Sequence, residues 1–490
     1  MINWELIADF LIKWYWLPVL LIYIGIIFTI LSENRNPSKS LAYILVLVFL
    51  PLIGLIIYYF VGRQPVFKNV LLKKRREKYK GKMDQLYTQV KPQMEYKLQI
   101  LDEQLGDLSL PFHYLYFQKQ TIISSGNAVK LLINGEEKFP ALIAALENAS
   151  TLIYIEYYIF TADDLGNRIA DILISKAKQG VIVRVIVDDV GSNEIKNIPK
   201  RLAEAGITVL KTMPVTFTSL ANSNYRNHRK IVVIDSSIGF VGGINLDSRY
   251  WNNDKHKLYW RDTAVCIEGN AVKLLQVQFL LSWLFAGGND DFSKIEENSL
   301  VNRIESKGDA IVAVAASGPS SPIPYIMEVI LLAIAQAKKS IRICTPYFIP
   351  NDQLTSALVI AAASGIEVEL IIPEKSDSFI VQHASFSFIK PLLQRNVKVY
   401  LYHKGFMHAK TISIDGSIAF VGTVNMDTRS FLLNFEITSL IYDKAFSKNL
   451  EASFADDKGN SHLVTLEEWQ HRPSIHRGFD SICRLVAPLL

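Results

Sequence analysis

Cysteine is scarce in this chain. Cys266, Cys344 and Cys483 are three in 490 residues, far apart in sequence. That spacing excludes a disulfide framework and a zinc cluster of cysteines, and it suits a reducing compartment. The signature of disorder is also missing: hydrophobic residues make up 50% against 20% charged, and the net charge is only +5. Charge is spread along most of the length, which excludes a polytopic channel. At roughly 150 residues per domain, a chain this long is expected to hold about three units.

Two uncharged runs stand at the front. Nineteen residues separate Lys13 from Glu33, and twenty-three separate Lys39 from Arg63. About 20 apolar residues cross a bilayer, so the runs predict a two-helix transmembrane hairpin over residues 1–62. Pro51 and Gly54 are tolerable in a membrane helix. A cleaved signal peptide is the alternative for the first run, but its apolar core is too long and no small-residue cleavage site precedes Glu33. The hairpin loop carries only Arg35 and Lys39. Arg63, Lys68, Lys73, Lys74, Arg75, Arg76, Lys78, Lys80 and Lys82 follow the second run. That excess of cations predicts that both termini and the large remainder face the cytoplasm. The same basic linker, 63–110, would be drawn to anionic headgroups, with nucleic acid the weaker partner.

From about residue 110 short β-rich runs alternate with helical stretches. TLIYIEYYIF, VIVRVIVDD and ITVLKT recur in kind as SIRICTPYFI, IEVELIIPE and VKVYLYH. The alternation predicts an α/β fold of βαβ units on a mainly parallel sheet, in two tandem α-β-α halves, 111–297 and 298–490. The polar stretch 290–310 would join them.

The duplication is clearest in the polar motifs. His228-Arg229-Lys230 is followed by Asp235, and His408-Ala409-Lys410 by Asp415. Each continues through a glycine turn, at Gly242 and Gly422, to Asn245 and Asn425. The members of each pair stand 180 positions apart. On a strand, residues two apart share a face. His228 and Lys230 therefore point together, as do His408 and Lys410. Asp235, seven after its histidine, has the opposite parity and is expected off the reactive face in an ion pair. Asn245 and Asn425 return to the site, where an amide can donate to an anion. A lone histidine in a strand is usually a packed core residue, but two copies with their lysines, glycines and asparagines are not accidental. Zinc is the rival occupant. A lysine beside each histidine would repel a cation, so the expectation is a metal-free, cofactor-free phosphate site in which lysines neutralise charge.

These paired His-x-Lys-x4-Asp motifs resemble those of the phospholipase D superfamily, in which two half-domains share one active site. Further stretches are similar to the bacterial cardiolipin synthase branch: the hairpin, Asn224–Lys230, Tyr259–Thr263, Thr345–Pro350 and the closing Arg484–Leu490. The resemblance implies two phospholipase D-like domains behind a multi-pass anchor in a bacterial cell membrane. It places His228, Lys230, Asp235, His408, Lys410 and Asp415 in the catalytic motifs, with His228 as nucleophile and His408 as acid and base. It also implies a histidine-orienting carboxylate roughly thirty residues downstream of each: Asp262 for His228 and Glu436 for His408. The implied reaction joins two phosphatidylglycerol molecules into cardiolipin, with release of glycerol, and other anionic membrane lipids are expected partners. A phospholipase D hydrolase, a nuclease and a non-catalytic membrane adaptor are the alternatives. Tyr158 and Tyr347 line the cleft or serve packing, and Trp251 and Trp260 sit near the bilayer or in the core. The sequence carries no sign of oligomeric state.

Overall fold

The computed structural model describes residues 13–14, 16–32, 37–58, 91–215, 224–253, 257–289 and 304–487. The chain divides into two compact units: Met1–Val66 with Val215–Asn224, and Phe67–Pro214 with Tyr225–Leu490.

The first unit holds the helices Trp16–Ser32, Pro37–Phe49 and Pro51–Ile57. Ile30, Leu47 and Tyr58 form its small buried cluster. The run expected as one second span is divided at Leu50, whose φ of −130° and ψ of 68° leave the helical region. Pro51 is the cause, because it lacks an N–H and crowds the residue before it. Among the described residues no helix is long and apolar enough to cross a membrane. Arg35 and the basic run 63–82 lie outside the described residues.

Among the described residues, the second unit is built on one hydrogen-bonded order of fifteen strands. The first half supplies β1 (Ser124–Ile133), β2 (Leu152–Tyr157), β3 (Ile182–Asp188), β4 (Thr208–Thr212), β5 (Lys230–Ile234), β6 (Ile238–Gly242) and β7 (Thr263–Glu268). The second half repeats the series as β8 (Ala310–Ser317), β9 (Ser340–Cys344), β10 (Glu367–Pro373), β11 (Lys398–Tyr402), β12 (Thr411–Ile414), β13 (Ile418–Gly422) and β14 (Glu436–Tyr442), and adds β15 (Ser461–Leu463). The order is β15-β11-β10-β9-β12-β13-β14-β8-β1-β7-β6-β5-β2-β3-β4. The two half-sheets meet where β1 and β8 run antiparallel, with Asn127 opposite Ala310.

The sheet is mixed rather than mainly parallel. Within it, among the described residues, only β2–β3–β4 and β9–β10–β11 pair in parallel. The inner strands are joined by tight turns, which make antiparallel neighbours. Asp235 and Ser236, with φ of 51° and 57°, form the turn between β5 and β6. Both faces of β5 are apolar. Val232 and Ile234 enter one core cluster, while Ile231 and Val233 enter another under the helix Val272–Phe285. The end of the expected linker belongs to this unit too: residues 91–105 are helical, and Met94, Leu98 and Leu101 join the core of the second half.

Candidate active site

His228 and His408 each stand two residues before the lysine of their motif, at the mouths of β5 and β12. Their backbones are tied across the molecule. His228 N donates to Phe435 O at 2.9 Å, and His408 N donates to Arg261 O at 2.7 Å. Phe406–Met407 further pairs in parallel with Trp260–Arg261. The residue after Arg261 is Asp262 and the residue after Phe435 is Glu436. Each carboxylate is thereby delivered to the histidine of the opposite half.

The side chains complete that crossing. His228 Nδ1 lies 2.9 Å and 3.1 Å from the two oxygens of Glu436. His408 Nδ1 lies 2.6 Å from Asp262 Oδ2. This corrects the expected pairing of Asp262 with His228 and Glu436 with His408. The reason is strand order: β6 separates β5 from β7, so a carboxylate opening β7 starts two strand spacings, about 9 to 10 Å, from the histidine of its own half. With Nδ1–H donated to a carboxylate, each imidazole keeps its Nε2 lone pair free.

Gly243 and Thr423, a matched pair 180 apart, fit the two carboxylates. A Cβ at Gly243 would stand 2.1 Å from Asp262 Oδ1, so only glycine leaves room there. At the other copy, Thr423 Oγ1 donates to Glu436 Oε2, and Asn434 Nδ2 adds a bond to Oε1 at 3.3 Å.

Lys230 and Lys410 are both buried, and each Nζ donates to the carbonyl of its own histidine, at 2.7 Å and 2.5 Å. Burial depresses Lys230 well below its ordinary value, and depresses Lys410 to about 8 against the pull of Asp262 and Glu436. Burial also lowers the histidines. His228 falls to about 4 despite Glu436, and His408 to about 3 with Lys410 adding to the effect. Both histidines are therefore neutral imidazoles with a buried lysine beside each, whose N–H groups are donors that an anion can use.

Asn245 is buried, accepts from Ile159 N at 3.2 Å and turns its Nδ2 to Tyr250 Oη at 2.9 Å. Asn425 donates to Asp427, and its buried Oδ1 has no partner. Asp235 and Asp415 do not enter the site. Asp235 accepts from the amides of Ser150, Thr151 and Leu152 at 2.7–3.0 Å. Asp415 accepts from those of Lys338, Lys339 and Ser340 at 2.7–2.8 Å. Seven residues at about 3.3 Å each carry them to the far end of the strand. There they pin the turn to the start of β2 and β9 through amides, rather than the ion pair expected for Asp235. Among the described residues no group of three or more His, Cys, Asp or Glu side chains is placed to hold a metal.

Several neighbours escaped the sequence reading. Tyr250, Trp260 and Phe406 surround His408 at ring distances of 5.7, 5.3 and 5.7 Å. Phe406 was legible, since it precedes His408 by two and shares its face. Trp260 belongs to this cage. Tyr158 meets His228 edge-on at 5.0 Å, while Tyr347 lies 6.3 Å from Phe406. Lys138 is buried, donates to Tyr157 Oη at 2.9 Å, and is pushed by burial to about 7 with Asp262 opposing. No local motif marks it.

A family model described as cardiolipin synthase, PLD-like domain, matches residues 142–280 and 330–458. The chain belongs to the cardiolipin synthase family of phospholipase D-like proteins. Residues 20–63 match a second model, phospholipase D-nuclease N-terminal. The cardiolipin synthase of Alkalihalophilus pseudofirmus is 39% identical over 96% of this chain and 92% of its own length. Cardiolipin synthase 1 of Bacillus cereus is 36% identical over 95% and 92%. Among solved structures, the phosphatidylserine synthase of Haemophilus influenzae Rd KW20 shares the fold of 74% of this chain and 95% of its own. Its TM-score is 0.57 and its identity 16%.

Proposed function

We propose that this chain is a phosphatidyltransferase that makes cardiolipin from two phosphatidylglycerol molecules through a phosphohistidine. The observation that supports this most is the pair of imidazoles, each with Nδ1 on a carboxylate of the other half and a buried lysine beside it. In this reading His228 Nε2 attacks the phosphorus of one phosphatidylglycerol and the bond to its glycerol oxygen breaks. His408 gives that oxygen a proton from Nε2 and glycerol leaves. His408 then takes the proton of a hydroxyl on the second phosphatidylglycerol, whose oxygen displaces His228 from phosphorus. Lys230 and Lys410, with the amides of Asn245 and Asn425, hold the phosphoryl oxygens.

The two roles ask for different protonation. A nucleophile must be neutral, which burial already ensures at His228. An acid must be charged, and burial and Lys410 oppose this at His408. The bound phosphodiester supplies the compensating negative charge, so His408 gains its proton as substrate binds.

The reading extends to the first unit. Its apolar side chains point outward, Leu21, Phe28, Phe49 and Leu52 among them. A helix of 17 residues is about 25 Å long, a little short of a hydrocarbon core of about 30 Å. Lipid is the solvent that such a surface fits, and a hairpin anchor with a cytoplasmic body is proposed on that ground, with 1–62, 63–110, 111–297 and 298–490 as its parts. The test is incubation of the full chain with labelled phosphatidylglycerol in vesicles. Labelled cardiolipin and free glycerol are expected; phosphatidic acid as the sole product would make the chain a hydrolase.

A further inference from the structure

The last helix, Ser474–Leu485, has one more apolar face than its packing uses. Its inner face is already occupied: Cys483, and Ala487 just beyond, belong to the core of the second half. On that side Asp480 accepts from His383 Nδ1 at 2.6 Å and from Arg472 at 2.9 Å, which fastens the helix to its neighbour Phe379–Phe386. A second row, Ile475, Phe479, Ile482 and Val486, recurs every three or four residues and so lies along one side. It faces outward, with Ile475 at 66% and Ile482 at 63% exposure. Phe379 and Ile380 extend the row, and the Phe379 ring meets Phe479 edge-on at 5.5 Å. Single exposed apolar residues are ordinary, but a contiguous patch of them marks a docking surface.

Charge and position choose the occupant. From 472 to 487 there are three arginines, Arg472, Arg477 and Arg484, against the single carboxylate Asp480; Arg472 is taken up by that carboxylate, which leaves Arg477 and Arg484 as the cations beside the row. Glu374, Lys375 and Asp377 are exposed at the other end of the patch, where Asp377 accepts from Tyr347 Oη at 2.8 Å. An outward apolar row on a helix with cationic flanks suits an anionic lipid surface. The patch also adjoins the site. The ring of Tyr347 lies 6.3 Å from Phe406, and that of Phe406 lies 5.7 Å from His408.

We propose that Ser474–Leu485, together with Phe379 and Ile380, is an interfacial surface that seats the catalytic unit on an anionic bilayer. The apolar row enters the acyl boundary, and Arg477 and Arg484 stay among the headgroups. The histidines then open at headgroup height, and a lipid phosphodiester reaches them without leaving its leaflet. The proposal rests on the phosphatidyl-transfer reading for its choice of lipid, and its test needs no turnover.

A nitroxide on Ile482→Cys in the full chain, reconstituted into vesicles, reports its own depth by collision with oxygen or with a water-soluble nickel chelate. The unsubstituted chain, labelled in parallel, supplies the background from native cysteines. Oxygen should be favoured severalfold in vesicles of phosphatidylglycerol with phosphatidylcholine, and much less in phosphatidylcholine alone. A label open to nickel in both overturns the proposal. Equal immersion in both overturns its anionic character. Shielding from both reagents that grows with protein concentration would mean a second copy of the chain covers the row, which also overturns it. Cardiolipin formed in the same vesicles reads the transferase claim separately, so an immersed label without product would sink that claim and leave this one standing.

Discussion

The two halves repeat the same chemistry with different surroundings. His228 faces Glu436, meets one aromatic ring, Tyr158, and has Arg226 two residues before it. His408 faces Asp262 and is caged by Tyr250, Trp260 and Phe406. Behind β5 lies an apolar layer. Behind β12, Ser413 bonds Glu451, and Arg342, Glu369 and Lys458 continue a polar network. The groups that touch phosphate in the proposed mechanism are duplicated faithfully. The groups that hold them have diverged, and in matched pairs: Gly243 makes room for the short Asp262, while Thr423 bonds the longer Glu436. In the proposed mechanism, divergence in the holding groups is what lets equivalent histidines take unequal roles.

The largest test removes the histidines themselves. His228→Ala and His408→Ala should each cost at least about 10³-fold in cardiolipin synthesis, at the scale of losing a nucleophile or a proton donor. They should differ with an activated substrate. A phosphatidyl ester of p-nitrophenol needs no protonated leaving group, so His408→Ala should release a stoichiometric burst of p-nitrophenol and His228→Ala none. A burst from His228→Ala instead would exchange the roles.

Next come the crossed carboxylates. Glu436→Gln should slow intermediate formation by about 10²-fold or more, by losing the acceptor that fixes the tautomer of His228. Asp262→Asn should act at His408, slowing natural lipid while sparing the p-nitrophenyl burst. Gly243→Ala should copy Asp262→Asn, because its Cβ displaces Asp262. If Gly243→Ala left synthesis untouched, the steric match would be wrong.

A smaller effect concerns pH. Lys410, lowered by burial to about 8, should give kcat/KM an alkaline limb near pH 8, since above it the lysine is neutral and holds phosphate less well. In kcat the limb should move upward, because bound phosphate favours the charged amine. A kcat/KM profile flat to pH 10 would contradict this.

The smallest effect on turnover belongs to Asp235. Burial raises its pKa, but the amides of Thr151, Leu152 and Ser150 outweigh it, and the net shift is downward. A lowered carboxylate stabilises the fold above its unfolded pKa, near 3.9, and loses that contribution as pH falls through the folded value. Asp235→Asn should therefore cost about 1 to 3 kcal/mol at neutral pH, and less in acid, with turnover per folded molecule kept. Lost turnover in a stably folded variant would return Asp235 to the chemistry.

Much of this was legible in the sequence because strand parity is local. The pairing of His228 with Lys230 and of His408 with Lys410 follows from a period of two, and the duplicated halves follow from the constant offset. The crossing was not legible, since it depends on strand order and on how the halves face, which no spacing encodes. Asp262 and Glu436 were picked out as holders of histidines, but each serves the opposite half. The mixed sheet was missed because the alternation describes only its outer strands. Lys138 reaches the site from the helix Asn134–Glu147, with no motif to announce it.

The central claim is one site with crossed roles, and trapping the covalent state tests it most directly. The enzyme and labelled phosphatidylglycerol are quenched in alkali, where a phosphorus–nitrogen bond survives, and the labelled peptide is mapped. The account predicts label on His228, absent in Glu436→Gln and retained in Asp262→Asn with the p-nitrophenyl ester as donor. Label on His408, lost in Asp262→Asn and retained in Glu436→Gln, would contradict it.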